Sequence, residues 1–136
     1  MRRFLFLALP LLVLAMGLFR FALEAFGMAA DPVLLSPSAA PRLPGWVALA
    51  TWGLESIGLA ALFLMIQGRG GSRLVSGLLA GWIAWVFRGP LLVVTVVSLA
   101  GLAPGPWWAL VFSWWVLYTI CGLLLGLVAV SAGLPP

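Results

Sequence analysis

The residues from Leu74 to Ala100 form an apolar run whose only charged member is Arg88, near its centre. An α-helix needs about 20 predominantly apolar residues to cross a bilayer, so this run is long enough for one span. A charge at mid-span costs roughly 2.5–3.5 kcal/mol on insertion scales. The next residues, Gly89 and Pro90, interrupt the helical hydrogen-bond ladder because proline has no amide hydrogen. The sequence therefore predicts a broken transmembrane helix with an arginine that needs a partner.

Composition extends this prediction to the whole chain, because 65% of the residues are hydrophobic and only 7% are charged. A soluble domain carries about 25% charged residues, so an integral membrane protein is indicated. Residues 27–45 hold four prolines and are predicted to form an extended loop on the outer side. The predicted fold is all-α, a four-helix membrane bundle in a single domain over residues 1–136. Its helices are expected near residues 4–26, 46–66, 74–100 and 107–131.

The first helix begins like a secretory signal peptide. Arg2 and Arg3 precede an apolar core, Phe4–Phe19, as in the leader of an exported protein. Mostly apolar sequence continues to Phe26, however, and no clear small-residue cleavage site follows. This pattern favours a first helix that is retained in the membrane.

The distribution of arginine predicts the orientation of the bundle. Four spans place both termini on one side, which then carries Arg2, Arg3, Arg69 and Arg73, whereas the opposite side carries only Arg42. Cytoplasmic loops hold the excess of basic residues in membrane proteins. Both termini are therefore expected in the cytoplasm, and the protein is expected to be a multi-pass protein of the inner, cytoplasmic membrane.

Polar residues within the spans fall at similar depths. At a rise of 1.5 Å per residue, Glu55 lies roughly 13 Å below the outer end of its helix, Arg88 roughly 18 Å and Tyr118 roughly 16 Å. Charges within spans usually face the bundle interior and pair with one another. A Glu55–Arg88 ion pair is predicted, with Tyr118 as a hydrogen-bond partner. Arg20 is expected to share Glu55 or to pair with Glu24, four residues on along its own helix.

Two glycine pairs predict a close helix contact. Gly77-x-x-x-Gly81 on the third helix and Gly122-x-x-x-Gly126 on the fourth both lie in the cytoplasmic half. Small residues at this spacing let helices approach closely in lipid. These four glycines are predicted to pack the third helix against the fourth.

Several functional classes lose support from the residue types present. The chain has no histidine, which removes the usual ligand of haem and of many zinc, iron and copper sites, so no metal or cofactor is expected. Its three acidic residues lie far apart in sequence, and no catalytic group is predicted. Cys121 lies in an apolar segment and is expected to pack there as a small residue. The net charge of +4 comes from scattered arginines, so nucleic-acid binding is not expected either.

One local pattern resembles a known family. Glu55-Ser-Ile-Gly58 opens an apolar helix, which is followed by Gly68-x-x-x-x-Arg73 and a second apolar helix. This arrangement resembles the DoxX family of small four-helix membrane proteins. The resemblance implies a four-helix fold and a role beside quinone or sulfur redox enzymes, or as a membrane accessory subunit.

Two functional hypotheses follow from these features. The first is a non-catalytic accessory or assembly subunit that lies in the lipid bilayer against a membrane protein partner or a second copy of itself. The alternative is a small transporter or ligand-binding bundle that uses Arg20, Glu55, Arg88 and Tyr118 to bind an anionic group, a lipid or a quinone. A tightly packed ion pair favours the first hypothesis, and a polar pocket beside Arg88 favours the second. An enzyme is the least supported class.

Overall fold

The computed structural model describes residues 1–25, 45–100 and 105–134, although not the side chains of Glu24, Ala100, Gly105 and Pro106. The predicted loop 27–45 lies outside this part of the chain, except for Gly45. The helical elements are α1 (Arg2–Ala25), α2 (Gly45–Gln67), α3 (Arg73–Val86), a π turn (Phe87–Leu91), α4 (Leu92–Ala100) and α5 (Gly105–Ser131).

The described residues form four long helices, because α3, the π turn and α4 follow one another without a gap. This composite is called the third long helix below. Each of the four is long and apolar enough to cross a membrane. The all-helical prediction is thus confirmed for the described residues, and the helices begin and end within two residues of the predicted bounds.

Helices that follow one another along the chain also neighbour one another in space. α1 contacts α2, α2 contacts α3, α3 contacts α5 along the largest interface, and α5 closes the arrangement against α1. α2 and α5 touch only weakly because they lie across a diagonal of the bundle. This is the arrangement expected when successive antiparallel helices of a bundle pack beside one another.

The core is built from one face of α1 and the faces turned towards it. Buried side chains on α1 recur every fourth residue, a spacing that places them on one helix face. They are Phe4, Ala8, Leu12 and Met16. Phe63 of α2 stacks on Phe4 with 5.3 Å between the ring centroids, which joins the start of α1 to the end of α2.

A tight connection turns the chain from α2 into α3. Gly70 has φ of 82° and Gly71 has φ of 139°, a region of backbone conformation that residues with a Cβ rarely adopt. The side-chain nitrogen of Gln67 also donates to the carbonyl of Gly71 across 3.4 Å. The two glycines therefore allow α3 to start beside α2 after only five residues, 68–72.

Pro90 changes the third long helix without ending it. Proline cannot donate to the carbonyl four residues earlier, here that of Val86, and its ring would crowd that carbonyl in a regular helix. The chain takes a wider turn over Phe87–Leu91 and resumes as α4. The break predicted at Gly89-Pro90 is therefore a π turn, a feature that is frequent at functional sites.

Candidate functional site

Glycines bring the backbones of α3 and α5 into contact. A Cβ at Gly77 would overlap the carbonyl oxygen of Gly122, and a Cβ at Gly81 would overlap that of Tyr118. At Gly126, a Cβ would lie 2.9 Å from the Cα of Leu74. The four glycines named from the sequence thus lie on the α3–α5 interface, which fixes the height of Tyr118 against α3.

Three residues from three helices meet beside this interface. The hydroxyl of Tyr118 on α5 donates to Oε2 of Glu55 on α2 across 3.3 Å. Nη2 of Arg88, in the π turn, lies 2.9 Å from Oε1 of the same carboxylate. The structure therefore links α2, the third long helix and α5 through one carboxylate, named here the Glu55 cluster (Glu55, Arg88 and Tyr118).

Trp114 completes the surroundings of the arginine. The Cζ atom of Arg88 lies 5.3 Å from the centre of the Trp114 ring, a distance at which the ring's negative face attracts the cation. A second tryptophan, Trp85, donates from Nε1 to the carbonyl of Val111 across 2.9 Å. The first contact packs Arg88 of the π turn against α5, and the second joins α3 to α5. The guanidinium therefore contacts both the Trp114 ring and the Glu55 carboxylate.

The cluster is electrically balanced but incompletely hydrogen-bonded. Arg88 contributes one positive charge and Glu55 one negative charge. Oε1 of Glu55 is buried and has no hydrogen-bond partner among the described residues, although Nη2 of Arg88 lies 2.9 Å from it. A carboxylate has about four lone-pair positions, so capacity to accept remains.

The cluster opens onto a cleft of about 330 Å³. The Arg88 side chain is 40% exposed and that of Glu55 is 19% exposed, so neither is sealed in the core. This volume falls at the lower end of small-molecule sites, which run from about 300 to 1,000 Å³. The other lining residues are small or apolar: Gly58, Leu59, Ala84, Phe87 and Leu92.

Of the five residues predicted to form an ion network, the structure brings together Glu55, Arg88 and Tyr118. Arg20 lies on α1 with an exposed side chain and is not among the described residues that line the cleft. Glu24 belongs to α1, but its side chain lies outside the described part of the structure. Both expectations for Arg20, a shared Glu55 or a pair with Glu24, therefore stay predictions.

Sequence reasoning did not single out Trp114. A signal for it exists, because Trp114 precedes Tyr118 by four residues, and residues at this spacing share a helix face. If Tyr118 lies beside Arg88, the Trp114 ring lies on the same face of α5 and within reach of the guanidinium. The eight tryptophans of the chain obscured that relation.

Other parts of the described structure offer less chemistry. Within those residues, no group of three His, Cys, Asp or Glu side chains could hold a metal ion. The thiol of Cys121 is fully buried in the core. A larger groove of about 610 Å³ lies between α1 and α2, but its lining is apolar apart from Ser56, whose hydroxyl lies 3.9 Å from the sulfur of Met16.

We compared the chain with protein-family models, with curated proteins and with solved structures. It matches none of them. The function is therefore argued from the chemistry of the Glu55 cluster and its cleft.

Proposed function

We propose that this chain is a multi-pass membrane protein whose cleft beside Arg88 binds a small amphiphile, meaning a mostly apolar molecule with one polar, oxygen-bearing group. One observation carries the proposal: the charged Glu55–Arg88 pair is accessible from a cleft that has apolar walls. Ligand sites have this character, with predominantly apolar linings and a few convergent polar groups.

The four apolar helices support the placement in a membrane. The arginines at the start of α1 and in the turn before α3 support an orientation with both termini in the cytoplasm, and the inner membrane as location. In that placement the Glu55 cluster lies near the bilayer midplane. Ionisable residues at this depth commonly mark substrate or ligand pathways.

The polar end of the ligand is expected at Arg88. A guanidinium carries five N–H donors in a fixed plane, and a single carboxylate contact leaves others to donate. Phe87 and Leu92 offer apolar contacts to the body of the ligand. This chemistry suits binding or passage of a molecule that already partitions into lipid. The likeness to DoxX proteins, with their place beside redox enzymes, remains part of the proposal.

A second candidate, the accessory subunit, is favoured by where the cleft opens. The cleft lies between α2 and the third long helix, and Phe87 at its edge is 67% exposed. A helix of a partner protein laid against this face would cover Arg88 and complete its surroundings. In that case the cluster would stabilise an interface between subunits.

Native mass spectrometry of the protein purified in mild detergent tests both candidates. We expect a retained small molecule on the wild type and on Arg69→Gln, a matched control in the turn before α3. The molecule should be lost from Arg88→Gln and from Leu92→Trp, which fills the cleft and leaves the charges in place. A stoichiometric protein partner without a small molecule would support the accessory subunit, and binding that is unchanged in both cleft variants contradicts the ligand site.

A further inference from the structure

We infer that the polar group recognised in the cleft is a neutral hydroxyl, which both donates and accepts a hydrogen bond, and not an anion. This inference rests on the proposed function and specifies its ligand class. It differs from the expectation of an anionic group bound with the help of both Arg20 and Arg88, because the described cleft is lined by one arginine and one glutamate, Arg88 and Glu55.

The charge of the Glu55–Arg88 pair favours a neutral ligand group. The Arg88 guanidinium already lies 2.9 Å from the Glu55 carboxylate, so the pair is neutral as a unit. A bound anion would place a second negative charge beside the first, in surroundings where little water screens the repulsion. Two carboxylates that share a site disfavour one another's ionised forms. A neutral group meets no such penalty.

The hydrogen-bonding capacity of the two side chains favours a hydroxyl. Exposed parts of Arg88 can only donate, and exposed parts of Glu55 can only accept. A hydroxyl can accept from Arg88 and donate to Glu55, whereas an ether or a ketone oxygen can only accept from the arginine. Groups left unpaired in a dry site cost binding free energy, so the matching of donor and acceptor decides selectivity.

The direction from which a ligand can approach Glu55 also favours a hydroxyl. Oε1 of Glu55 is enclosed and lies against Arg88, so a ligand can reach the carboxylate only from the side of Oε2. Oε2 accepts from Tyr118 across 3.3 Å, a long hydrogen bond that leaves acceptor capacity. A hydroxyl that sits between Oε2 and the exposed edge of the guanidinium would donate to the first and accept from the second.

Three molecules with one aromatic body and different polar groups test this inference: 2-naphthol, 2-methoxynaphthalene and 2-naphthoate. Each is supplied in tritiated form to the full-length protein in nanodiscs at neutral pH, and its uptake by empty nanodiscs is subtracted. We expect 2-naphthol to bind about tenfold more tightly than the ether, the effect of one hydrogen bond to a charged group. The naphthoate should bind more weakly than the naphthol.

Two variants sharpen the comparison. Glu55→Gln removes the negative charge beside Arg88, so the preference should invert and 2-naphthoate should bind best. Thr95→Val, a near-isosteric change on α4 outside the cleft lining, should keep the wild-type order. The wild-type ranking needs no variant, so it stands as a test even if Glu55→Gln does not fold.

The outcomes distinguish an error in the ligand class from an error in the ligand site. A wild-type preference for 2-naphthoate or for the ether, abolished by Leu92→Trp, overturns the neutral-hydroxyl inference and leaves the proposed ligand site standing. Saturable binding of none of the three, or binding that Leu92→Trp leaves unchanged, overturns the ligand site and this inference with it.

Discussion

Gly81 on α3 and Tyr118 on α5 lie so close that a Cβ at Gly81 would overlap the carbonyl oxygen of Tyr118. The same tyrosine uses its hydroxyl to reach Glu55 across 3.3 Å. A residue without a side chain therefore determines where one side chain of the candidate site lies. Helix packing and the candidate site are coupled through this one position.

Replacing Gly81 by alanine should destabilise the bundle, because the added carbon meets backbone atoms that cannot turn aside. Overpacking of this kind typically costs about 1–3 kcal/mol. Gly81→Leu should cost more. The free energy of unfolding in mixed micelles measures the effect. Gly53→Ala is the matched control, since a Cβ there meets nothing within 4 Å, and equal losses in both variants would contradict the close contact.

Removing either member of the Glu55–Arg88 pair should destabilise the folded protein. Arg88→Ala or Glu55→Ala leaves one charge uncompensated among apolar helices; breaking a fully buried pair typically costs about 3–5 kcal/mol, and this partly exposed pair should cost less. Replacing both residues with leucine should recover most of the folded protein. The yield of monodisperse protein after gel filtration reports this. A double variant that folds no better than the single ones would show that the two charges do not act as a pair.

Folding and binding can be separated in that double variant. Recovered folding without binding of the retained small molecule indicates that the pair belongs to a ligand site. Recovery of both indicates a structural pair. The measurement is the native mass spectrum of the double variant, with Arg69→Gln as the arginine control.

Removing the hydroxyl of Tyr118 should have a smaller effect than removing either charge. Tyr118→Phe keeps the ring in the core and loses one hydrogen bond, a change of about 1 kcal/mol. Unfolding in mixed micelles again provides the measurement. A loss as large as that of Glu55→Ala would mean that the tyrosine, and not the arginine, is the main partner of the carboxylate.

Cysteine labelling checks the proposed orientation. In a Cys121→Ala background, a cysteine at Ser38 should react with an impermeant maleimide on intact cells. A cysteine at Ser72, in the turn before α3, should react only after permeabilisation. Ser38 lies in the predicted loop outside the described residues, so its reactivity reports on the side of the membrane alone. The reverse pattern would invert the topology.

Helix number and residue depth were predictable because the rise of an α-helix is fixed. Counting residues along three helices predicts that Glu55, Arg88 and Tyr118 lie at similar distances along the axis of the bundle. The spacing of Gly77 and Gly81 similarly indicated a contact face. These predictions depend on distance along a helix axis, which sequence specifies well.

Rotation about the helix axis was harder to predict. α5 has apolar residues on all sides, so no polar face indicates which residues point inward. The contact of Trp114 with Arg88 is therefore not predictable from the pattern of α5. The π turn at Pro90 also depends on how α4 packs, which proline chemistry alone does not decide. Sequence showed that the helix could not be regular there but not which irregular form it takes.

The π turn also determines where the length of this chain can change. A π turn holds one residue more than a regular turn, so the wide turn over Phe87–Leu91 absorbs an extra residue without rotating α4. Loss of Pro90 would therefore close the segment to a regular helix and keep Val93 on the side that packs with Val111 of α5. α5 is a regular helix throughout, so loss of one residue there would rotate everything beyond it by about 100°. A one-residue deletion should thus be tolerated better at Pro90 than within α5.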